Sequence, residues 1–170
     1  MPGASTPAID ILRRAGIAHR VHAYALPERH GRARDARPDY GREAAEALGV
    51  EPGRVCKTLI AVLDDGRLVA AVIPVDHVLD PKALAATAGA RRAELADPSV
   101  AERASGSVIG GIGPLGGRRR LPVLVDAGVV AAAGTILVSA GRRGLQLELA
   151  PDDLVRVADA TVGPIARPAP

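Results

Sequence analysis

The chain has 170 residues, of which 48% are hydrophobic, so it is long enough for one domain with its own apolar core. It contains no Phe and no Trp, and this core must therefore be built from Val, Leu, Ile and Ala. The net charge of +3 is too small to indicate a polyanionic partner by itself. A single cysteine, Cys56, excludes an intrachain disulfide and a multi-cysteine metal site, and is typical of a reducing compartment.

The hydropathy pattern favours neither a signal peptide nor a membrane span. The N-terminus lacks a basic start followed by an apolar run. The most apolar region, residues 121–141, is interrupted by Pro122, Asp126 and Gly134, and therefore indicates core strands and turns. We expect a cytoplasmic protein that does not bind a membrane.

The N-terminal part of the chain predicts a helix, a strand, a loop and a second helix. The helix starts at the Thr6-Pro7 pair, because Thr caps helices and Pro is favoured in the first turn. Residues 19–25 alternate as a strand does. The Arg-rich segment 26–39 is typical of a solvated loop, with contact to RNA phosphates as the alternative. A short helix is expected at residues 41–48.

The middle of the chain predicts a hairpin followed by two helices. Residues 55–63 and 68–74 form the strands, and an Asp-Asp-Gly turn connects them. Asp-Pro pairs at 80–81 and 97–98 each start a helix.

The C-terminal part predicts short strands and a last helix, and the tail after Gly163 is expected to fray. The strands lie at 107–109, 121–125, 135–139 and 145–149, and the helix at 151–158. Strands and helices mix without a βαβ repeat, which predicts a mixed sheet and an α+β fold. We expect a single domain over residues 1–170, with an ordered core of about 6–166.

A glycine-rich segment, residues 110–117, has the sequence GGIGPLGG. Gly111, Gly113 and Gly116 formally spell GxGxxG, but Pro114 is incompatible with the helix that a dinucleotide fingerprint must open. No acidic residue follows about 20 positions on, and we reject an NAD site. The backbone amides of this segment could bind an anion or a developing oxyanion, and a tight connection is the alternative.

Lys57 is one of only two lysines among 22 basic residues, and it lies in an apolar strand. Its ammonium either extends past the strand end to solvent or points into a polar cleft. Cys56 would point to the opposite strand face, which favours a buried structural thiol over a nucleophile.

The remaining polar residues give no metal or cofactor pattern. The four histidines lie in separate segments without ligand spacing, so no metal is expected. Ser139 follows a strand and could face a ligand or form a turn hydrogen bond. Asp126 ends a strand and could orient a site or cap the next turn.

An ordered set of short segments resembles the YbaK/EbsC-type deacylases, relatives of the editing domain inserted in bacterial prolyl-tRNA synthetases. The resemblance covers residues 6–166 and is closest to the YbaK branch, which hydrolyses Cys-tRNA(Pro). The segments are Thr6-Pro-Ala-Ile-Asp-Ile-Leu, Val21-His-Ala-Tyr24, Lys57-Thr-Leu, Ala96-Asp-Pro, Gly110-Gly-Ile-Gly-Pro-Leu-Gly116, Arg120-Leu-Pro, Val138-Ser139 and Arg143-Gly-Leu.

The resemblance implies a mixed, mainly antiparallel, partly barrel-like sheet with flanking helices and a cleft between the lysine strand and the glycine loop. It implies catalytic roles for Lys57 and Gly110, and matches Tyr24, Tyr40 and Ser139 to the pocket. Together with the loop and Asp126, the expected substrate-binding residues are Tyr24, Tyr40, Thr58, Gly111, Ile112, Gly113, Pro114, Leu115, Gly116, Asp126 and Ser139.

The implied function is removal of cysteine from mischarged Cys-tRNA(Pro), with the substrate's own thiol attacking its carbonyl. The implied partners are the acceptor end of mischarged tRNA and prolyl-tRNA synthetase, and no cofactor is expected. Alternatives are a deacylase for another misacylated tRNA, charged with Ala or Ser, and a non-catalytic module that binds tRNA or a synthetase.

Overall fold

The structure is a computed structural model that describes residues 5–28 and 38–170. Six α-helices lie in this part of the chain: α1 (Pro7–Arg14), α2 (Tyr40–Leu48), α3 (Pro81–Thr87), α4 (Pro98–Ser105), α5 (Ala127–Ala131) and α6 (Pro151–Ala158). Ten strands accompany them: β1 (Arg20–Ala23), β2 (Cys56–Leu63), β3 (Leu68–Pro74), β4 (His77–Leu79), β5 (Ala93–Leu95), β6 (Val123–Asp126), β7 (Ile136–Ser139), β8 (Leu145–Leu149), β9 (Thr161–Gly163) and β10 (Ala166–Pro168).

The largest sheet has five strands in the order β5-β2-β3-β6-β9. The hairpin β2–β3 is antiparallel, as is β2–β5, whereas β3–β6 and β6–β9 are parallel. Strand β5 pairs only with residues 61–63 of β2. The first half of β2 therefore lies beyond the end of its neighbour on that side.

A second sheet consists of three antiparallel strands in the order β1-β8-β7. A single parallel bridge from Val55 to Leu137 connects it to the start of β2. Strands β4 and β10 form a separate antiparallel pair. Within the described residues the sheets form a mixed, partly barrel-like α+β fold without a closed ring of pairings, in agreement with the expected fold class.

The helix starts follow the local capping signals. Thr6 Oγ1 accepts a hydrogen bond from Ile9 N at 3.3 Å, and Asp80 Oδ1 accepts one from Ala83 N at 3.0 Å. Helix α4 also begins at the predicted Asp-Pro pair, although Asp97 makes no side-chain cap bond. Gly49 and Gly106 end their helices in the left-handed conformation that glycine adopts without strain.

The core is aliphatic, as the composition requires. Its main cluster joins one face of the five-stranded sheet to the three-stranded sheet and to helices α1 and α6. A second cluster covers the opposite face of β2 and β3 and includes Leu84 of α3 and Ile165 from the C-terminal segment. Two layers of apolar contacts therefore fix β2, the strand that carries Lys57.

Two predictions from the sequence are wrong. Residues 107–109 form bends and a turn rather than a strand, because Gly106 and Gly110, both at positive φ, set the course of the chain there. The tail does not fray: β10 pairs with β4, and Ile165 is fully buried.

The predicted loop at 26–39 lies partly outside the described residues, since 29–37 are not among them. Its described end is ordered by Asp39, whose carboxylate caps α2 at 3.1 Å from Arg42 N. None of the described helices has the length and apolar character needed to cross a membrane.

Candidate functional site

A cleft of about 540 Å³ opens beside the first half of β2. Its walls are residues 55–60, the start of α2, the segment before α4, and the turn that contains Gly110. Of the residues predicted to form a site, six line this cleft: Tyr40, Lys57, Thr58, Gly110, Ile112 and Ser139. The topology explains this grouping, because β5 leaves this part of β2 uncovered and the Val55–Leu137 bridge brings β7 alongside.

Lys57 presents a half-buried ammonium to the cleft. Within the described part of the chain it has no hydrogen bond and no ion pair. Burial lowers the pKa of Lys57 below its ordinary value, Asp39 opposes this shift, and Arg42 adds to it. The fold thus holds a cation in a partly desolvated cleft without a bound counter-charge, which is a suitable site for an anionic or ester ligand.

Gly110 lies at a tight turn on the opposite wall. Gly111 N donates to Val108 O at 2.9 Å and closes the turn, in which Gly110 has φ +91°. A Cβ at Gly110 would lie 2.6 Å from the Tyr40 ring. Only glycine fits this position, both for its conformation and for its space.

The turn leaves two backbone donors uncommitted. Among the described residues, the N–H groups of Gly110 and Ile112 have no hydrogen bond partner, whereas the N–H of Gly111 is used within the turn. Gly110 and Ile112 both line the cleft. Two free amides in the same cleft as an ammonium form an arrangement that can stabilise negative charge on a substrate oxygen.

Arg143 holds the turn in place, and the sequence did not identify it as a site residue. Its Nε donates to Ile109 O at 2.7 Å and its Nη2 donates to Tyr40 Oη at 2.7 Å. The guanidinium also lies 4.4 Å from the centroid of the Tyr40 ring. Arg143 thereby holds the Tyr40 ring against Gly110. These contacts join segments that are distant in the sequence, and no local pattern predicts them.

Ser139 anchors the glycine loop from β7. Its hydroxyl donates to Gly111 O at 2.8 Å and accepts from Gly141 N at 3.2 Å. A Cβ at Gly113 would lie 2.3 Å from Ser139 O, so the loop packs backbone to backbone against this strand end. The sequence left open whether Ser139 faces a ligand or forms a turn hydrogen bond. Its hydroxyl forms the turn hydrogen bond, and Ser139 also lines the cleft.

The Pro114-Leu115-Gly116 turn does not lie in this cleft. Together with Gly113 it lines a separate cavity of about 330 Å³ on the other side of the loop. Gly116 has φ +73°, and a Cβ there would lie 2.6 Å from Ala8 N at the start of α1. The expectation that the whole loop faces the lysine is therefore corrected: residues 110–112 approach the cleft, and the remainder packs against α1.

Two further predicted residues also lie elsewhere. Asp126, 6% exposed, accepts hydrogen bonds from the N–H groups of Gly128, Ile165 and Ala166 at 2.9 to 3.0 Å. It therefore caps α5 and fixes the C-terminal segment, which was one of the two alternatives for it. Tyr24 packs against the apolar cluster around Val55 and Leu137, beside the cleft rather than on its wall.

Cys56 is buried, and burial raises the pKa of its thiol to about 12. Asp126 and Asp76 add to this shift through their negative charge. Although Cys56 touches the edge of the cleft, its thiol is protonated at neutral pH. It therefore fits the structural role expected from the sequence rather than that of a nucleophile.

Two buried polar atoms on the cleft wall have no hydrogen bond partner in the described part of the chain: Thr58 Oγ1 and Gln146 Oε1. Thr58 was predicted as a substrate contact, whereas Gln146 was not. Gln146 belongs to the alternating segment Leu145-Gln-Leu-Glu-Leu149 of β8, where alternation predicts a solvent-facing side chain. The structure nevertheless buries it, in a strand that pairs with β7, which bridges to the start of β2.

Comparisons with known proteins show the family of the chain. A family model described as an aminoacyl-tRNA editing domain matches residues 38–157. The chain is 33% identical over 150 residues to EbsC of Enterococcus faecalis, named as a putative Cys-tRNA(Pro)/Cys-tRNA(Cys) deacylase, covering 88% of this chain and 86% of that protein. It is also 35% identical over 86 residues to a proline–tRNA ligase of Thermoanaerobacter, covering 49% of this chain and 15% of the ligase.

Solved structures share the fold. A crystal structure of a hypothetical protein superposes with a TM-score of 0.79 at 25% identity, over 93% of this chain and 97% of that one. A putative trans-editing enzyme for prolyl tRNA synthetase gives a TM-score of 0.77 at 21% identity, over 96% and 99%. By class the protein is an aminoacyl-tRNA deacylase. The chain belongs to the aminoacyl-tRNA editing domain family, which confirms the resemblance seen in the sequence.

Proposed function

We propose that the protein acts in trans, as a single editing domain, on cysteine misattached to proline tRNA. The observation that carries the proposal is the unpaired ammonium of Lys57 in a cleft that also presents the free amides of Gly110 and Ile112. The name of the related EbsC protein gives cysteine as the amino acid and includes proline tRNA as one of its two carriers, the other being cysteine tRNA. The partner of the cleft is then the acceptor end of the mischarged tRNA.

In this proposal Lys57 positions the substrate. Its ammonium attracts the terminal phosphate or ribose oxygens of the acceptor end and keeps the ester beside the turn. The amides of Gly110 and Ile112 then stabilise the oxyanion that develops on the ester carbonyl, at about 3 kcal/mol for a well-placed donor. Arg143 and Ser139 contribute by fixing the turn through the hydrogen bonds to Ile109 O and Gly111 O.

The nucleophile in the proposal is the thiol of the cysteinyl group itself. Its sulfur forms a bond to the carbonyl carbon, the ester C–O bond breaks, and the thiol proton ends on the ribose oxygen of the released tRNA. The amino acid leaves as a cyclic thioester, which water can open. Intramolecular attack supplies an effective molarity on the order of 10⁵ M or more when the groups are well oriented, so the protein need only orient and stabilise.

The chemistry of the cleft supports a substrate-supplied nucleophile. The thiol of Cys56, with its pKa raised to about 12, is not a competent attacking group at neutral pH. Cysteine is also similar in size to proline. A synthetase pocket for proline discriminates poorly against such an amino acid, because an apolar difference of one methylene changes the binding free energy by only about 1–3 kcal/mol. A second hydrolytic site removes such errors.

A panel of charged tRNAs tests the proposal. Purified protein is incubated with proline tRNA carrying Cys, Ala, Ser or Pro, and loss of the aminoacyl ester is followed over time. We expect the cysteinyl ester to be cleaved fastest, and its S-methylated form to be cleaved at least about 100-fold more slowly, since methylation removes the nucleophile. Faster cleavage of the alanyl or seryl ester would assign the protein to another specificity.

The same panel separates catalysis from binding. A module that binds tRNA without cleaving any ester at high protein concentration would contradict the proposal and support a non-catalytic role. Addition of prolyl-tRNA synthetase to the assay then shows whether that enzyme increases the rate, as expected if it is a partner.

A further inference from the structure

The cleft has an exposed aliphatic surface close to Lys57. Among the described residues Leu95 is the most exposed of the large hydrophobic side chains, at 57%. It lies on β5 and lines the cleft, as does the partly buried Leu59 of β2. A single exposed leucine elsewhere on a surface is ordinary, but apolar side chains that line a cleft together with an unpaired ammonium are suited to an apolar part of a ligand.

The strand register places both leucines on the same sheet face as Lys57. Side chains alternate between the two faces of a strand, so Lys57, Leu59 and Ala61 share one face of β2. Ala61 pairs directly with Leu95 across β2–β5, and paired residues point to the same face. The second apolar cluster agrees, since it contains Ala61 and has Leu59 and Ala93 packed against it.

The two leucines are therefore diagonal neighbours on adjacent strands, close enough for their side chains to form one surface. Lys57 lies two positions before Leu59, so that the Cα atoms of these residues are about 7 Å apart. This distance is short compared with the size of one nucleotide. A nucleotide whose phosphate or ribose is held by the ammonium can thus reach the leucines with its base.

The proposed substrate brings a flat, largely apolar group to this position. The aminoacyl ester is attached to the ribose of the adenosine that ends every tRNA, so the adenine base must lie close to the ester. Unstacked bases commonly pack on aromatic rings. The chain has no Phe and no Trp, and its two tyrosines already have contacts. Tyr24 packs in an apolar cluster, and the Tyr40 ring contacts Gly110 and Arg143. An aliphatic surface beside the lysine therefore suits the base.

We infer that Leu59 and Leu95 form the seat of the terminal adenine base, with Lys57 at the adjoining phosphate or ribose. This inference rests on the proposed function and adds to it a subsite that recognises the nucleotide rather than the amino acid. The bound base removes apolar surface of the leucines from water, which stabilises the complex. Because the leucine side chains have no hydrogen-bonding groups, they favour a base over no base and do not distinguish adenine from guanine.

Deacylation of two substrates tests the seat. One is the aminoacyl-tRNA that the wild type cleaves fastest, and the other is the same tRNA with a terminal ribose that lacks its base. We expect the wild type to have at least about 10-fold lower kcat/KM for the base-free substrate. Leu95→Ser should lower kcat/KM for the complete substrate by about 10-fold, mainly through KM, and change cleavage of the base-free substrate by less than about 3-fold. A substrate that ends in guanosine should be cleaved within about 3-fold of the normal one.

Two variants serve as controls. Leu95→Met keeps an apolar side chain of similar size and should retain the preference for a base. Val162→Ser is the matched change outside the cleft, because Val162 is 42% exposed on β9, at the opposite edge of the same sheet. It should match the wild type on both substrates.

Binding of the trinucleotide C-C-A gives a readout that does not depend on activity. The methyl signals of Leu95 are followed by NMR during the titration. They should shift with C-C-A and stay unchanged with the analogue that lacks the terminal base.

Equal cleavage of the two substrates by the wild type would overturn the inference, as would an equal loss on both substrates in Leu95→Ser or a loss of cleavage with terminal guanosine. Unchanged kinetics with an altered oligomeric state in Leu95→Ser would also overturn it, and would assign the leucines to a contact between copies of the chain. If the wild type cleaves no ester in the tRNA panel, the proposed function is wrong. The C-C-A titration then decides the seat by itself, since unshifted Leu95 signals would contradict it.

Discussion

Lys57 carries a charge that the protein holds in a half-buried cleft without a counter-ion among the described residues. The apolar residues of β2 that surround it in sequence fix the strand in two layers of core. Burial lowers its pKa, which means that the charged form is less favourable in the folded state than in water. A residue that destabilises the fold and faces a cleft is typical of a functional site.

We predict that Lys57→Met lowers deacylation of the preferred aminoacyl-tRNA by at least about 100-fold, because the ester is no longer held beside the turn. The same variant should be at least as stable as the wild type at neutral pH. Single-turnover deacylation and thermal unfolding measure the two effects. Lys82→Met is the control, since Lys82 is exposed on α3 and lies outside this cleft, and it should keep full activity.

The stability effect of Lys57→Met has a defined pH dependence. The folded-state pKa of Lys57 is below its ordinary value of 10.5, so the unfolded chain binds the proton more tightly. The penalty for burying the ammonium is complete at pH values below the lowered pKa and disappears as the pH rises towards 10.5. The stability advantage of the Met variant should therefore shrink in alkaline buffer, and a constant difference would contradict the assignment.

Arg143 is a positioning residue, since its contacts are to Ile109 O, to the Tyr40 hydroxyl and to the Tyr40 ring. We predict that Arg143→Lys lowers kcat by about 10-fold, because one ammonium cannot make both hydrogen bonds in the same geometry. KM should change less, as the residue does not line the cleft. Arg142→Lys, at the exposed neighbouring position, is the control and should match the wild type in steady-state deacylation.

At the scale of elements, the turn at residues 108–111 is the part of the site that depends most on backbone conformation. Gly110 combines φ +91° with the contact to the Tyr40 ring. Gly66 in the β2–β3 hairpin has a similar φ of +85°, but a Cβ there would meet nothing within 4 Å. Substitution of the two glycines therefore distinguishes two contributions to the free energy of unfolding: backbone strain, present at both positions, and steric overlap, present only at Gly110.

We predict that Gly66→Ala destabilises the protein by about 1 kcal/mol through backbone strain alone and leaves deacylation unchanged. Gly110→Ala should destabilise it further and lower activity by at least about 100-fold, because Tyr40 or the turn must move. Chemical denaturation and deacylation assays on both variants provide the measurement. Equal behaviour of the two variants would show that the contact with Tyr40 is unimportant.

At the scale of the whole molecule, a polar cluster connects segments that lie far apart in the sequence. Glu148 of β8 contacts His22 Nε2 of β1 at 2.6 Å, Thr135 Oγ1 at 2.6 Å and Arg54 Nη2 at 3.2 Å. Hydrogen bonds from Thr135 and His22 lower the pKa of Glu148 to about 2. The cluster joins the three-stranded sheet to the segment that leads into β2, and so contributes to the position of the cleft.

We predict that Glu148→Gln is less stable than the wild type at pH 7 and that the difference disappears in acid. The folded-state pKa of about 2 lies below the ordinary value of 4.5, so this contribution is present above pH 4.5 and is lost as the pH falls towards 2. Urea denaturation of both proteins between pH 2.5 and pH 7 measures it. A difference that does not depend on pH would mean that the carboxylate charge does not stabilise the cluster.

The regular elements could largely be predicted because their signals are local. Thr6-Pro7, the Asp-Pro pairs and the glycines at the helix ends determine backbone conformation within a few residues. The three-residue strands β4, β5, β9 and β10 were missed, since each is defined by a partner distant in the chain rather than by its own pattern. The tail was expected to fray for the same reason.

The aliphatic core, five of the six described helices, the β2–β3 hairpin and the family of the chain could be predicted from the amino-acid sequence, whereas the short helix α5 was missed. Local features left two alternatives each for Lys57 and the glycine segment, and the structure places Lys57 and Gly110 on the wall of one cleft. Packing between distant segments determines that Gly110 and Ile112 line the cleft while the following turn packs on α1, and no local pattern predicted this. Gln146 and Arg143 join the site through strand pairing and side-chain hydrogen bonds across the chain, and the free energy of such contacts depends on packing that no local pattern encodes.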